Sequence, residues 1–230
     1  MTDRKFSREE ARVRARALAS EFLAKQGGQA WFDELYRRAA GDPSAVPWAN
    51  LAPDPLLIDW LTAHLEPPVQ ATALVIGCGL GDDAEELADW GFDVTAFDVS
   101  GTAVDWCRDR FEGTSVKYEC ANLLETPIEY LGKFDLVFED STLQTMKDDV
   151  LGDAVQTLPS FLAPGGLLLI ICRGREDYDL LPSTPPWPLT RSDLRPLELG
   201  GGLSLVQFED FYDHEEPPVR RFRAAYSRPK

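Results

Sequence analysis

The chain has 230 residues, with 39 acidic against 23 basic side chains and a net charge of −16 at pH 7. That excess excludes nonspecific nucleic-acid binding and docking on an anionic membrane, because like charges would repel. Hydrophobic residues at 44% and charged residues at 27% are ordinary for a globular protein, and the length suits one α/β domain with an N-terminal extension.

Cysteine usage fits the same picture. Cys78, Cys107, Cys120 and Cys172 form no C-x-x-C pair, and with only two histidines present the sequence offers no zinc site. Cys78, Cys120 and Cys172 fall in or beside apolar strand-like runs. They read as reduced, buried thiols of a cytoplasmic protein. The N-terminus lacks the apolar core of a signal peptide, and no run is long enough to span a bilayer.

Residues 7–25 favour a helix that stops at Gly27-Gly28 and is locally basic within an acidic chain. A second short helix is expected over 31–39, followed by a Pro-rich loop. PLLIDWLTAHL has helical apolar spacing and stops before Pro67-Pro68. From there strands and helices alternate. TALVIG, FDVTAFD, SVKYEC, FDLVFED and LLLIIC are strands, interleaved with helices over DDAEELADW, TAVDWCRDRF and about 148–162. Such alternation predicts a parallel sheet covered by helices on both faces. LSLVQFEDFYD and VRRFRAAYSR, joined by HEEPP, predict a closing antiparallel hairpin. Thr190 and Asp193 read as a helix-capping pair. The expected architecture is Rossmann-like: a mostly parallel seven-stranded sheet, helices on both faces, and a C-terminal antiparallel hairpin. Residues 1–53 are expected to form a helical extension and lid, and 54–230 the ligand-binding domain.

The chemistry centres on Gly77-Cys78-Gly79-x-Gly81, between the first strand and its helix. Glycines there allow a tight turn and a close backbone approach to a ligand. A dinucleotide fingerprint needs another glycine at position 82, where Asp82 stands with Asp83 beside it. Two carboxylates at a helix N-terminus oppose a pyrophosphate. They suit a phosphate-free, cationic ligand, and S-adenosylmethionine carries both an ammonium and a sulfonium. Asp98 ends the second strand at the spacing, about 20 residues downstream, that places a carboxylate on ribose hydroxyls. Ser100 fills the neighbouring helix N-cap.

LVIGCGLGDDAEELADWGFDVTAFDVS, FDLVFEDSTLQTM and LAPGGLLLIICRG resemble the ordered motifs of class I S-adenosylmethionine-dependent methyltransferases. The upstream WFDELYRRAAGDPSAVPWANLAPDPLLIDWL looks like the entry segment of the thiopurine-methyltransferase-like and halide/thiol methyltransferase group. The resemblance implies that Asn122 accepts from the adenine amino group. It implies that Leu123 offers its backbone N–H to the adenine ring and that Val99 packs on its face. It also implies that Glu139 and Asp140 point at the crevice. Trp48 matches an aromatic residue against the cofactor's methionine end, with Trp31 and Tyr36 as further candidates.

Methyl transfer is an in-line displacement in which the protein mainly positions the nucleophile. His64 and His214 read as structural or exposed, and no general base is evident. Arg173 and Arg175, on the loop leaving the fifth strand, are placed to attract an anionic substrate. The acceptor expected from the resemblance is a small thiol, halide or related nucleophile, with a hydroxyl as the alternative. Two rival readings are a nucleotide-dependent oxidoreductase, disfavoured by Asp82, and a non-catalytic S-adenosylmethionine-binding module.

Overall fold

The computed structural model describes residues 5–25, 28–125 and 127–230. Helix α1 spans Arg8–Ala24 and starts at a reciprocal cap: Ser7 accepts from the Glu10 amide while Glu10 reaches back to the Ser7 amide. Gly27 of the expected stop lies outside the described residues. Helices α2 (Trp31–Ala39) and α3 (Pro55–His64) follow, the latter capped by Asp54 with proline at its first position.

The remaining elements alternate: β1 (Thr72–Ile76), α4 (Asp82–Asp89), β2 (Asp93–Asp98), α5 (Gly101–Arg110), β3 (Lys117–Cys120), β4 (Phe134–Asp140), α6 (Asp148–Thr157) and β5 (Leu162–Arg173). Short helices α7 (Arg191–Leu194) and α8 (Pro196–Leu199) lead to β6 (Ser204–Tyr212) and β7 (Arg220–Ser227). The strands form one seven-stranded sheet in the order β3-β2-β1-β4-β5-β7-β6. The first five run parallel and β7 pairs antiparallel with both its neighbours. The expected fold class is therefore the observed one.

Alternation along the strands sorts their side chains into two cores. Leu74 and Ile76 of β1 and Leu168 and Ile170 of β5 pack on one face. Ala73, Val75, Leu169 and Ile171 pack on the other. A third cluster joins Leu18 of α1 and Trp31, Leu35 and Tyr36 of α2 to Leu80 of the glycine turn and Ala103 of α5. Burying each large apolar side chain contributes about 1.5–3 kcal/mol. This cluster holds the N-terminal helices over the ligand end of the sheet. Asp33 adds a polar tie, accepting from Ser100 Oγ at 2.8 Å and the Thr102 amide at 3.1 Å.

Two expectations need correction. The helix expected to reach Leu162 ends at Thr157 and tightens into a 3₁₀ turn over Leu158–Phe161, where Pro159 supplies no amide donor. The Pro-Gly-Gly stretch is an irregularity inside β5, not a turn before it. The pairing slips between Phe134↔Leu162 and Leu136↔Leu167, and Gly165 takes a φ of 81°. Cysteine burial also differs. Cys107 and Cys172 are buried, Cys78 is half-buried, and Cys120 is exposed because it closes an edge strand.

Candidate active site

The chain runs outward from β1 to β3 and then returns to β4 beside β1, so a crevice opens at the carboxyl ends where the strand order reverses. A cavity of about 320 Å³ occupies that place, within the range of small-ligand sites. It is floored by the glycine turn and the ends of β2 and β4, and α1, α2 and the loop before α3 roof it.

The glycine turn is fixed by packing as well as by conformation. Gly77 has φ 66°, and a Cβ there would overlap the Thr142 side chain. Gly81 has φ 89°, and a Cβ would lie 2.6 Å from Tyr118 Oη. Both positions demand glycine before any ligand is considered. The Cys78 amide donates to Phe97 O at 2.9 Å, tying the turn to β2.

Asp98 is the hinge of the site. The Gly79 amide donates to its Oδ2 at 3.0 Å and the Ser100 amide to its Oδ1 at 2.9 Å. Burial pushes its carboxyl up to about 6, although both amides pull the other way. Each oxygen keeps acceptor capacity beyond its one amide, so two hydroxyls of a diol match what is left.

A second group of acids stands nearby. Asp83 accepts from the Asp54 amide at 2.7 Å, and burial, reinforced by Asp54, Asp82 and Glu86, pushes it up to about 7. Asp140 is pushed well above the usual carboxylate range, by burial first and by Asp54 and Asp83 next. Asp54, Asp83 and Asp140 all line the cavity. Asp82 behaves differently. Arg110 grips it with two bonds of 2.8 and 3.0 Å. The two-acid argument against a pyrophosphate therefore rests on Asp83 and its neighbours, because Arg110 offsets the charge of Asp82.

An aromatic wall faces these acids. Trp48 is 39% exposed, and its Nε1 donates to the buried Tyr36 Oη at 2.8 Å. The edges of Trp31 and Phe32 pack against its ring, with centroids at 6.1 and 5.8 Å. Phe97, Val99 and Leu123 supply an apolar side beyond Asp98.

Of the residues singled out from sequence, the fold brings Trp48, Gly77, Cys78, Gly79, Asp83, Asp98, Val99 and Leu123 to this one cavity. Asn122 is not on its wall, although Ala121 and Leu123 are. Its amide oxygen accepts from the Leu124 backbone at 3.1 Å and closes a short turn. Glu139 also departs from expectation. Asp140 lines the cavity and Glu139 does not. Glu139 is fully buried, turned back on its own strand end, where it accepts from the Thr142 and Leu143 amides at 2.5 and 2.8 Å. Burial pushes its carboxyl up to about 7.

Arg175 is likewise not on the cavity wall. Its guanidinium is bound to the carbonyls of Pro188 and Glu176, at 2.9 and 3.0 Å. Arg173 does line the cavity, joined by Arg221 of β7 and Arg12 of α1. Sequence reading missed Asp54, Arg12 and Arg221, which come from segments that only the fold brings together. His64 is structural: its Nδ1 lies 2.8 Å from Trp60 O and its ring stacks on Trp60.

The donor set fits S-adenosylmethionine. Asp98 offers acceptors for a ribose diol, the acid group faces where a cationic end is stabilised, and the tryptophan face suits a sulfonium. The fold that builds this cavity resembles that of solved S-adenosylmethionine-dependent methyltransferases. Residues 73–166 match the family model described as a methyltransferase domain. The match covers the strands and helices that build the glycine turn and the ends of β2 and β4.

Among curated proteins, the chain is 32% identical over 127 residues to a malonyl-[acyl-carrier protein] O-methyltransferase of Acetivibrio thermocellus, covering 54% of this chain and 43% of that protein. It is 31% identical over 119 residues to a ubiquinone biosynthesis O-methyltransferase of Xanthomonas axonopodis, covering 51% and 48%. These matches span less than half the length of either relative. Among solved structures, it resembles Burkholderia thailandensis 1,6-didemethyltoxoflavin-N1-methyltransferase, determined with S-adenosylhomocysteine bound. The TM-score is 0.61 at 19% identity, over 93% of this chain and 88% of that one. These comparisons leave the likeness to the thiopurine and halide/thiol group unconfirmed.

Proposed function

We propose that the chain transfers a methyl group from S-adenosylmethionine to an oxygen of a small-molecule acceptor. The observation that carries this reading is Asp98, buried at the floor of the cavity, anchored by two backbone amides and retaining acceptor capacity toward the ligand side.

S-adenosylmethionine supplies a methyl group on a sulfonium whose sulfur departs as a neutral thioether. The chain's own residues bind, orient and shield. Asp98 holds the ribose. Cys78 and Gly79 present the turn's backbone, Val99 and Leu123 flank the adenine, and Asp83 and Trp48 face the methionine end. Asn122 is the turn residue beside that adenine wall. Helices α1 and α2, within residues 1–53, act as the lid over the domain of residues 54–230.

An oxygen acceptor is preferred to a thiolate or halide for two reasons. Asp54, Asp83 and Asp140 line the cavity, and a neutral hydroxyl approaches whichever of them is ionised without charge repulsion. Asp140 lines the cavity and, in its ionised form, supplies the general base that a hydroxyl needs and a thiolate does not. Both curated relatives named above are O-methyltransferases, which supports the same choice. The acceptor is taken as a small molecule rather than nucleic acid or membrane lipid. Four free cysteines match a cytoplasmic location.

Incubation with S-adenosylmethionine and a set of phenols, carboxylated phenols, thiols and iodide, read by mass spectrometry, tests the reading. Methylated phenol formed by the native protein and reduced at least tenfold by Asp140→Asn supports it. Methyl transfer to thiol or iodide alone overturns the oxygen assignment. Cofactor binding without any transfer supports the non-catalytic module instead.

A further inference from the structure

The side of the cavity formed by β5 and β7 holds an arrangement that cofactor binding does not use. Arg173 and Arg221 are directly paired across the two antiparallel strands, so their side chains share one face. Like charges placed directly opposite destabilise a sheet. The chain offsets one of them thoroughly. Arg221 donates to Asp213 at 2.7 Å and to Glu215 at 2.9 Å, and it is 11% exposed. Glu215 is shared, because Arg12 of α1 also reaches it, at 3.2 Å.

Arg173 has no such direct partner. Among the described residues its guanidinium makes no ion pair, and the residue lines the cavity. Burial lowers its proton affinity first; the cations Arg221 and Arg12 act the same way, and the carboxylates of Glu215 and Asp213 oppose them. Around Arg12, Arg173 and Arg221 stand the carboxylates of Asp213, Glu215 and Asp140, and of these three arginines Arg173 is the one that makes no ion pair among the described residues. Arg173 is part-buried and lines the cavity. A part-buried guanidinium without a direct partner favours an anion beside it.

We propose that Arg173 is an acceptor-recognition residue and that the methyl acceptor carries a monoanionic carboxylate seated on its guanidinium. The planar fork of arginine matches a carboxylate through two parallel charge-assisted bonds. This inference deepens the methyl-transfer reading and rests on it for the word acceptor, while the anion site stands on the arginine geometry alone. The carboxylate is a handle set apart from the oxygen that is methylated.

Titration calorimetry with benzoate, benzamide and inorganic phosphate tests this, on the native chain with and without saturating S-adenosylhomocysteine. Benzoate is expected to bind in the millimolar range, and benzamide at least tenfold more weakly. Arg173→Gln is expected to weaken benzoate at least tenfold, to leave S-adenosylhomocysteine affinity within twofold, and to melt at or above the native temperature. That combination is the signature of a ligand site, because a residue of purely structural value would lower the melting temperature when removed. Should Arg173→Gln fail to fold, Arg173→Lys carries the test, with a severalfold loss expected because the fork is gone but the charge remains. Benzoate affinity unchanged by either variant, or phosphate binding as tightly as benzoate, overturns the proposal. Absence of benzoate binding in both the free and loaded protein also overturns it. Benzoate binding through Arg173 in a protein that ignores S-adenosylhomocysteine would keep the anion site and remove the methyl-transfer reading.

Discussion

The two ends of the cavity are built in opposite ways. At one end, Asp83 and Asp98 are carboxylates held by backbone amides, with raised proton affinities and, among the described residues, no arginine paired to them. At the other, Arg12 and Arg221 are held by the carboxylates of Asp213 and Glu215. The first end is a local product of strand, turn and helix. The second is assembled from α1, β5 and β7. Amide-held acids keep acceptor capacity for a ligand, whereas ion-paired arginines have spent most of theirs on the fold. Arg173, paired across the strands with Arg221, departs from that pattern: it makes no ion pair among the described residues.

The largest effect that would break this comparison is at Asp98. Asp98→Ala strips the acceptors and leaves the Gly79 and Ser100 amides without their partner. S-adenosylhomocysteine affinity should fall about 10²-fold, the upper range for hydrogen bonds to a charged group. Calorimetry checks it, and a change under threefold would remove Asp98 from the binding site.

Arg221→Met probes the other end. It abandons Asp213 and Glu215 and should cost about 1–3 kcal/mol. The melting temperature should fall by several degrees, at about 2–4 °C per kcal/mol for a chain of this size. Cofactor affinity should stay within twofold. A loss of cofactor binding as large as that of Asp98→Ala would merge the two ends into one site.

Acid pH separates stability from binding. Asp98 is raised to about 6, and Asp83 and Glu139 to about 7. A carboxyl whose proton affinity is raised on folding stabilises the fold below its unfolded value, and that contribution is lost as pH rises through the folded value. Melting temperature should therefore rise as pH falls from 8 to 5. The lowered acids Asp33, Asp210 and Asp213 act only below about pH 4, the unfolded aspartate range. Over the same window cofactor affinity should weaken, since protonated Asp98 loses acceptor strength. Glu139→Gln should flatten the stability profile by about one group's share and leave the binding profile unchanged. Melting curves across pH, paired with calorimetry, decide it.

The smallest effect sharpens the acid end. Trp48→Ala should weaken S-adenosylmethionine by up to about tenfold and S-adenosylhomocysteine by less, because only the former carries a sulfonium for the ring face. Equal losses would assign Trp48 to packing alone.

The same contrast explains what was legible beforehand. Gly77, Gly79 and Asp98 sit in one strand–turn–helix–strand unit, where spacing along the chain is also spacing in the fold. The alternation of β and α segments and the capping pair Thr190–Asp193 are local signals too, and the structure contains each. Glu139 and Asp140 were indistinguishable as a strand-end pair until the fold set Glu139 on the Thr142 and Leu143 amides and left Asp140 on the cavity wall. The charge of Asp82 depended on Arg110, at the far end of another helix. Arg12, Arg173 and Arg221 share a wall only because β7 inserts beside β5, a strand order that no local pattern encodes.

The central claim is that this cavity is built for S-adenosylmethionine through Asp98. Calorimetry of the native chain and Asp98→Ala with S-adenosylmethionine, S-adenosylhomocysteine and NADH tests it most directly. The account predicts micromolar binding of the first two, lost in the variant, and none of NADH. Binding of NADH alone, or equal binding of S-adenosylhomocysteine by both proteins, would contradict it.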